Sequence, residues 1–475
     1  MGVLGLAQLL ITVDTTIVTL ALPAAQHALG FSDGSRQWVV TAYTLAFGGL
    51  LLVGGRLADR WGRKLTVVVG AIGFAAISAV AGASVDGGML IASRAAQGMF
   101  AAVLAPSALS LLAVVFPSGA ARTRAYAIFS AISVSGAGAG LLAGGALIQF
   151  ADWRWCLYLS APIAACAAVG AVVFLPKQQR HQSRLDMTSA ILGCAAPVAL
   201  VWGLSEIGQA RPNIATAVVL LVVAGLLVAI FLIRQRRITD PLLPLSVVTE
   251  RHRAAAFAAI ASSSFGMFAM FLFLTYQLQT VFGWSALPAG VAFLPIIAAN
   301  FLTATQLTRR LLPRLGQFWV LTGGFVFLVV GLGLLSGLSP TASYPALIAP
   351  AEVLLGMGSG LVFPAAMNIA TREISGRVAG AVSAFVTTCQ QLGASLGTAV
   401  LNSIATAAAG AGASRTVAEV SHGYAVSSTI GALILIVAAT AIAVASRTPT
   451  AASANQPGRH NRSAGNQGTK KQYPA

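Results

Sequence analysis

Long uncharged apolar runs, separated by short polar segments, constrain this chain more than any other feature of its sequence. Many of the runs approach the length of about 20 residues that a helix needs to cross a bilayer. Hydrophobic residues make up 57% of the 475 residues and charged residues only 9%, whereas soluble domains are about 25% charged. Membrane barrels need short alternating strands instead of long runs. The sequence therefore predicts an all-α integral membrane protein.

Apolar length and loop punctuation together predict about fourteen transmembrane helices. We number them helix 1 to helix 14 in chain order. The predicted spans are residues 3–23, 38–54, 65–83, 88–110, 125–148, 155–175, 187–204, 214–233, 254–276, 287–307, 318–338, 344–366, 378–404 and 424–445.

The positions of the cations predict the orientation of the helices. With the amino terminus inside, the inside loops and the tail hold 24 of the 29 Lys and Arg residues. The outside loops then hold Arg36, Arg154, Arg211 and Arg415. Cytoplasmic loops are the ones enriched in Lys and Arg, so both termini are predicted to be cytoplasmic. The net charge of +17 is therefore attributed to orientation and to anionic lipid headgroups, and not to nucleic acid.

A dense charge cluster lies between helices 2 and 3, at residues 55–64. Its pattern, G-x-x-x-D-R-x-G-R-K, resembles the signature loop of the major facilitator superfamily; the alternative is an ordinary positive cytoplasmic loop. A similar cluster without the aspartate follows helix 10, at residues 309–316, which suggests two repeated halves. The resemblance implies a gating role for Gly55, Asp59, Arg60, Gly62, Arg63 and Lys64.

Three ionisable residues lie inside predicted helices. Asp14 lies near the middle of helix 1, Arg94 in helix 4 and Glu352 in helix 12. A charged side chain at the bilayer centre costs about 2.5–3.5 kcal/mol on insertion scales, so such residues usually face a cavity or a partner. We predict that these three bind protons or substrate. The structural alternatives are helix bracing by Asp14 and Glu352, and extension of Arg94 to the membrane surface.

Helix 5 carries glycines at small-xxx-small spacing, which allows close helix packing. The set Gly136, Gly140, Gly144 and Gly145 resembles the antiporter signature G-P-x-x-G-G, with Leu141 in place of the proline. The Arg94-x-x-Gln97-Gly98 segment of helix 4 and the Q-L-G segment of helix 13 resemble those of drug exporters. Polar residues that could line a cavity are Tyr276, Gln277, Gln390 and Gln391.

Taken together, these motifs resemble the drug:H+ antiporter family with fourteen helices. The resemblance implies the major facilitator fold, with two six-helix halves at residues 1–175 and 254–446. Two inserted linker helices occupy residues 176–253, and residues 447–475 form a disordered basic cytoplasmic tail. In this family the cavity is lined by helices 1, 4, 9 and 12, which would place Asp14, Arg94 and Glu352 on cavity helices.

The function that the resemblance implies is export of hydrophobic, drug-like small molecules, cations among them, in exchange for protons. Burial disfavours the charged form of a carboxylate, so a buried acid can load and release a proton during alternating access. We expect a monomeric, multi-pass cell-membrane transporter that contacts lipids and needs no cofactor or metal. The alternatives are a proton-coupled importer of a small solute and a non-transporting sensor. A membrane enzyme is disfavoured because no clustered catalytic set is visible.

Overall fold

The polypeptide crosses from one end of a helical bundle to the other many times. The computed structural model describes residues 1–115, 119–175, 186–207, 213–238, 241–242, 245–371, 377–410 and 416–447. Every regular element in those ranges is a helix. Ten continuous helical segments of the described residues are long and apolar enough to cross a membrane. One of these segments, Ala286–Gly337, contains two helices that meet at Gly316.

Fourteen membrane-length helices are present in the part of the chain that the structure describes. They are α1 (Gly2–Leu29), α2 (Asp33–Trp61), α3 (Arg63–Gly82), α4 (Gly87–Val115), α5 (Gly119–Phe150), α6 (Arg154–Phe174), α7 (Met187–Ile207), α8 (Ile214–Arg237), α9 (Arg251–Val281), α10 and α11 (before and after Gly316 in Ala286–Gly337), α12 (Tyr344–Thr371), α13 (Arg377–Ala408) and α14 (Val417–Arg447). Eleven of them belong to the ten segments that meet the criteria of length and composition, and α2, α5 and α13 do not; the all-α class is confirmed.

The first two helices extend beyond their predicted ends. α1 passes through Pro23 and ends at Leu29. Neighbouring helices in a membrane bundle compensate for the loss of the backbone hydrogen bond that a proline removes. α2 begins five residues earlier than predicted, after Ser32, whose hydroxyl accepts from the amide of Ser35. The cap allows the polar residues that precede Trp38 to form the first turn of α2, although hydropathy alone assigns these residues to the loop.

Helices α1–α6 pack among themselves, as do helices α9–α14. α1 lies against α5, α2 against α4, and in the second group α9 lies against α13 and α11 against α12. The pair α7 and α8 packs side by side and reaches the rest of the bundle through contacts of α7 with α2 and α13. This arrangement positions two groups of six helices with a hairpin at their junction. The exact domain boundaries stay a prediction, and residues 448–475 lie outside the described residues.

Two equivalent turns mark corresponding points of the two groups. Gly62 joins α2 to α3 with φ 89°, and Gly316 joins α10 to α11 with φ 77°. Positive φ is readily available to glycine and strained for other residues. The match supports the internal repeat that the two charge clusters suggest. We call the end of the bundle that contains these turns the Gly62 end, and the opposite end, where α1 ends at Gly30, the Gly30 end.

Among the described residues, two extensive helix seams join the two groups between the middle of the bundle and the Gly30 end, and Tyr276 and Gln279 of α9 add hydrogen bonds to Gln26 and Leu20 of α1. In the first, α2 lies against α13: the Thr44 and Ser395 hydroxyl oxygens are 2.5 Å apart, and Thr388 donates to the carbonyl of Gly48 at 3.0 Å. In the second, α5 lies against the first turns of α10. These contacts bring the two halves together at the Gly30 end.

Candidate functional site

Asp14 and Arg94 form a buried ion pair inside the first six-helix group. Asp14 lies at the middle of α1 and has no exposed surface, and the Arg94 side chain on α4 is 2% exposed. Arg94 Nη1 donates to Asp14 Oδ2 at 2.5 Å. Two charges removed from water need each other and further hydrogen bonds to offset their desolvation. The sequence placed both residues inside the membrane, and the structure brings them together.

Three polar side chains complete the hydrogen bonding of this pair. Ser160 donates to Asp14 Oδ1 at 3.2 Å, and Gln97 Nε2 donates to the same oxygen at 3.3 Å. Gln97 Oε1 accepts from Arg94 Nη1 at 2.8 Å, while its amide nitrogen also donates to Ser78 at 2.8 Å. The network thus ties α1, α3, α4 and α6 to one another. We call these five residues the Asp14 network.

The sequence analysis proposed only two members of this network as site residues. Gln97 could have been found, because it is three residues after Arg94 and residues at that spacing share one helix face. Ser78 and Ser160 carry no such signal, since serines are frequent in membrane helices and their partners are distant in sequence.

The remaining faces of the guanidinium are also occupied. Arg94 Nε donates to the carbonyl of Val39 at 3.3 Å, and its Cζ lies 4.3 Å from the centre of the Tyr43 ring. A desolvated cation–π contact of this kind is worth about 2 kcal/mol. In this conformation the charge of Asp14 is balanced by Arg94 and is screened from solvent. A second cation can therefore pair with the carboxylate only if Arg94 moves away.

Glu352 is the second buried acid, and its surroundings differ from those of Asp14. It has no exposed surface, and its Oε1 has no hydrogen-bond partner among the described residues. The Tyr344 hydroxyl is 3.4 Å from Oε2 and donates to the carbonyl of Ala292 at 2.6 Å. One hydroxyl has one hydrogen, so the Tyr344 oxygen can receive a second hydrogen bond from a protonated Glu352. The geometry suits a carboxyl group that carries its own proton.

The four polar residues predicted to line a cavity have different surroundings. Gln277 is fully buried, donates to the carbonyl of Ser339 and accepts from Ser421, so it holds the second group together. The Tyr276 hydroxyl donates to Gln26 of α1. On α13, Gln391 is buried with its Cβ beside Gly48 of α2, and Gln390 is half-buried.

The charge cluster at the Gly62 end makes contacts with helix termini and connecting segments. Lys64 Nζ donates to the carbonyls of Val172 and Leu175 at 2.7 Å each, which places a cation at the negative end of the α6 dipole. Arg56 donates to the carbonyl of Pro241 in the segment after α8. Gly55 and Arg60 lie in the last two turns of α2, Gly62 forms the turn itself, and Arg63 begins α3. The side chain of Asp59 is outside the described part, so its gating role stays a prediction.

The glycines of α5 divide between two neighbours. A side chain at Gly136, Gly140 or Gly144 would meet residues of α1, whereas one at Gly145 would meet the backbone of Leu287 in α10 at 2.7 Å. α5 continues as an unbroken helix through this stretch, and Leu141 is buried there with its carbonyl against Gly290 of α10. The motif therefore packs mainly against α1 and reaches the second seam through Gly145, without the kink that a proline introduces.

The described residues contain no group of three or more His, Cys, Asp or Glu side chains that could hold a metal ion. Of the cysteines, Cys156 and Cys389 are buried, Cys194 is half-buried and Cys166 is exposed.

Similar curated proteins are named for resistance to antibiotics or for their export. The chain is 41% identical over 460 residues to the puromycin resistance protein of Streptomyces alboniger, an alignment that covers 94% of this chain and 91% of that protein. It is 32% identical to the cephamycin export protein of Amycolatopsis lactamdurans, with 88% and 86% covered. A multidrug efflux pump of Mycolicibacterium smegmatis is 29% identical, with 86% and 80% covered.

Solved structures and a family model give the same assignment of fold. The nucleoside transporter NupG superimposes with a TM-score of 0.67 at 14% identity, covering 93% of this chain and 98% of that one. A bacterial homologue of the lysosomal transporter Spinster gives 0.66 at 16% identity, with 94% and 96% covered. The family model described as Major Facilitator Superfamily matches residues 4–398. The chain therefore belongs to the Major Facilitator Superfamily.

Proposed function

We propose that this chain exports hydrophobic, drug-like small molecules across the cell membrane in exchange for protons. Membership of the superfamily makes it a transporter and not an enzyme. Relatives at 41% and 32% identity are named for puromycin resistance and cephamycin export, which supports an antibiotic or a similar compound as the exported substrate. Cations are included among the proposed substrates because the Asp14 carboxylate could pair with one in a conformation in which Arg94 has moved away.

The observation that carries the proton-coupling part of the proposal is the Asp14–Arg94 ion pair. A proton on Asp14 would remove the negative charge that Arg94 faces at 2.5 Å. Removing one partner of a buried pair costs about 3–5 kcal/mol, so protonation strongly disfavours the arrangement seen here. Because the pair connects α1 to α4, that energy is available to shift the helices of the first group. Release of the proton restores the pair.

Glu352 is proposed as a second proton-binding residue, in the second group. The Tyr344 hydroxyl, 3.4 Å from Glu352 Oε2, accepts a hydrogen bond only from the protonated acid while it donates to the carbonyl of Ala292. The conformation described here then has a proton on Glu352 and none on Asp14. One acid in each half would let both halves respond to the proton gradient.

We propose the Gly62 end as the cytoplasmic end, with both termini inside. The basis is the excess of Lys and Arg in the loops at that end. The seams near the Gly30 end then close the bundle toward the outside, which matches a transporter that receives substrate from the cytoplasm or the inner leaflet. Alternating access would open this end by rocking one six-helix group against the other.

The experiment that tests this function is a drug-susceptibility profile of a pump-deficient bacterium that expresses the chain. Puromycin, a cationic dye and neutral hydrophobic antibiotics should each be measured with wild type and with a matched empty vector. Export predicts a raised inhibitory concentration and lower accumulation of at least one compound. Increased accumulation would instead indicate an importer and would contradict the proposal.

A further inference from the structure

Arg36 is a buried cation whose position was not expected from the sequence, which places it in an outside loop. It lies in the first turn of α2 at the Gly30 end and is only 6% exposed. A buried guanidinium needs hydrogen bonds or aromatic contacts to offset its desolvation. Its contacts therefore indicate which parts of the structure hold it in place.

Contacts of Arg36 reach three helices of the other six-helix group. Its Nε and Nη2 donate to Asn402 Oδ1 of α13 at 3.4 and 3.1 Å, and Nη2 donates to the Tyr424 hydroxyl of α14 at 3.4 Å. Its Cζ lies 4.3 Å from the centre of the Tyr276 ring of α9 and 6.0 Å from that of Tyr424. Asn402 also donates to Gln37 of α2 at 3.0 Å.

These contacts differ in kind from those within the Asp14 network. The Asp14 network joins helices of one half, whereas the contacts of Arg36 cross from one half to the other. Continuing along the same seam, Thr44 meets Ser395 and Gly48 meets Thr388. Among the described contacts of the α2–α13 seam given above, that of Arg36 thus lies nearest the Gly30 end.

We infer that Arg36, Gln37, Tyr276, Asn402 and Tyr424 form a latch that holds the Gly30 end closed and sets how often it opens. This inference rests on the proposed function in one respect, because it assumes alternating access between the two halves. The partners named above are an amide, a phenol and aromatic rings. Such contacts can break and re-form during a cycle, and the charge makes their hydrogen bonds stronger than those between neutral groups.

The test measures the distance between the two halves at the Gly30 end directly. Spin labels are placed at Val85→Cys, in the α3–α4 connection, and at Thr341→Cys, in the α11–α12 connection; both positions are exposed. The four native cysteines are replaced by alanine in the background. Distance distributions then report the ratio of closed to open molecules in detergent or nanodiscs.

Arg36→Gln is the latch variant and Arg154→Gln is its matched control. Arg154 is also a cation at the Gly30 end, donates to the carbonyl of Ser84 at 3.2 Å and stacks 4.6 Å from the Trp153 ring. Its Nη1 also lies 3.7 Å from Asp152 Oδ1. All of these partners belong to the first half, so the control removes the contacts of a cation at the same end without crossing the seam. Asn402→Ala removes the amide oxygen that accepts the hydrogen bonds of Arg36. This variant tests the latch independently if Arg36→Gln does not fold.

The latch predicts that Arg36→Gln and Asn402→Ala lower the closed-to-open ratio about tenfold, equivalent to about 1.4 kcal/mol, and that Arg154→Gln leaves it unchanged. The double variant should shift little further than the stronger single variant, because the two residues act through each other. Unchanged distances in both latch variants would overturn the inference, as would an equal shift in the control. The distances require no substrate, so a failure of drug export would appear separately in the susceptibility profile.

Discussion

At the scale of single residues, the two buried acids of this transporter have opposite surroundings. Asp14 receives hydrogen bonds from Arg94, Gln97 and Ser160, whereas Glu352 has one hydroxyl neighbour and an Oε1 without a partner in the described structure. A carboxylate with a cation and several donors is stabilised in its charged form, and a buried one without them is not. This contrast is consistent with the proposal that Asp14 and Glu352 bind and release protons at different steps of the transport cycle.

The first prediction concerns the ion pair itself. Asp14→Asn should lower the free energy of unfolding by about 3–5 kcal/mol, because it leaves the buried Arg94 without its counter-charge. The double variant Asp14→Asn/Arg94→Met should recover most of this stability, since neither charge then remains. Thermal unfolding in detergent, read from tryptophan fluorescence, measures both effects. A double variant less stable than the single one would show that the pair does not act as a unit.

The second prediction concerns Glu352. Glu352→Gln keeps the size of the side chain and can donate to the Tyr344 hydroxyl as a protonated acid does. We expect its thermal midpoint to lie within about 2 °C of wild type, because a change well under 1 kcal/mol moves the midpoint of a large domain by less than that. Proton-driven export should nevertheless fall. A large loss of stability would indicate that Glu352 is ionised in this conformation, and unchanged export would remove it from the coupling mechanism.

The positions of Asp14, Glu352 and Arg94 inside the membrane were predictable, because a charged residue within an apolar run is visible in the sequence alone. Gln97, Ser78 and Ser160 were not identified as their partners, and Arg36 was assigned to a loop. The reason is physical: hydropathy measures the cost of burying Arg36 but not the ring of Tyr276 or the amide of Asn402, which lie far away in the sequence. Gln277 was taken for a cavity residue, although its hydrogen bonds to Ser339 and Ser421 are internal to the second half.

At the scale of helices, the fold was more predictable than the contacts between its parts. Apolar length predicted about fourteen spans, of which eleven meet the criteria of length and composition in the described residues. The two similar charge clusters predicted the repeat that the turns at Gly62 and Gly316 support. The orientation of the α5 glycines was not predictable, because small-xxx-small spacing marks a packing face without naming the partner. Gly144 and Gly145 are adjacent, yet one meets α1 of its own half and the other meets α10 of the opposite half.

The third prediction uses these two glycines as a matched pair. A Cβ at Gly145 would lie 2.7 Å from Leu287 Cα and 2.8 Å from the carbonyl oxygen of Ala286, both backbone atoms. At Gly144 it would meet Ile17 Cγ1 on α1 at 2.7 Å, so the displacement it causes falls within the first group. Gly145→Ala should therefore force the α5–α10 seam apart and favour opening at the Gly30 end, while Gly144→Ala should not. Labelling of an introduced cysteine near that seam by a membrane-impermeant maleimide measures the difference, and equal labelling of both variants would contradict it.

The fourth prediction concerns the inserted hairpin, where Asp186 is bound at the start of α7 by Arg234 of α8. Arg234 Nη2 donates to Asp186 Oδ1 at 2.8 Å and Nε to Oδ2 at 2.9 Å, and this guanidinium holds the pKa of the Asp186 carboxyl well below its ordinary value of 3.8. A lowered pKa means that the pair stabilises the hairpin above pH 3.8 and loses this contribution as the pH falls below it.

The contribution of the Asp186–Arg234 pair to the stability of the hairpin should accordingly be constant between pH 5 and pH 8. Asp186→Asn should destabilise the hairpin at neutral pH by about 1 kcal/mol or less, because Arg234 is 40% exposed and solvent screens the pair. Hydrogen exchange of α7 and α8 in wild type and variant provides the measurement. Faster exchange of the wild-type hairpin at pH 5 than at pH 7, after correction for intrinsic rates, would contradict this assignment.

At the scale of the whole molecule, the account requires one orientation in the membrane. The fifth prediction is that the connection at residues 208–212 faces the outside and the connection at residues 176–185 faces the cytoplasm, because the Lys and Arg residues are concentrated at the Gly62 end. A reporter enzyme that is active only outside the membrane is fused after Gln209 or after Gln182. Activity after Gln209 alone agrees with the account. Activity after Gln182 would reverse the assignment of the two ends.

The central claim is that a proton gradient drives export through Asp14. The most direct measurement is uptake of an exported drug into inverted membrane vesicles under an imposed pH gradient, acid inside, with wild type and variants at equal abundance. The account predicts rapid gradient-dependent uptake by wild type, loss of uphill uptake in Asp14→Asn, and wild-type behaviour in Gly225→Ala, a position in α8 where a Cβ would meet nothing within 4 Å. Gradient-driven uptake at the wild-type rate in Asp14→Asn, for cationic and neutral drugs alike, would contradict the account.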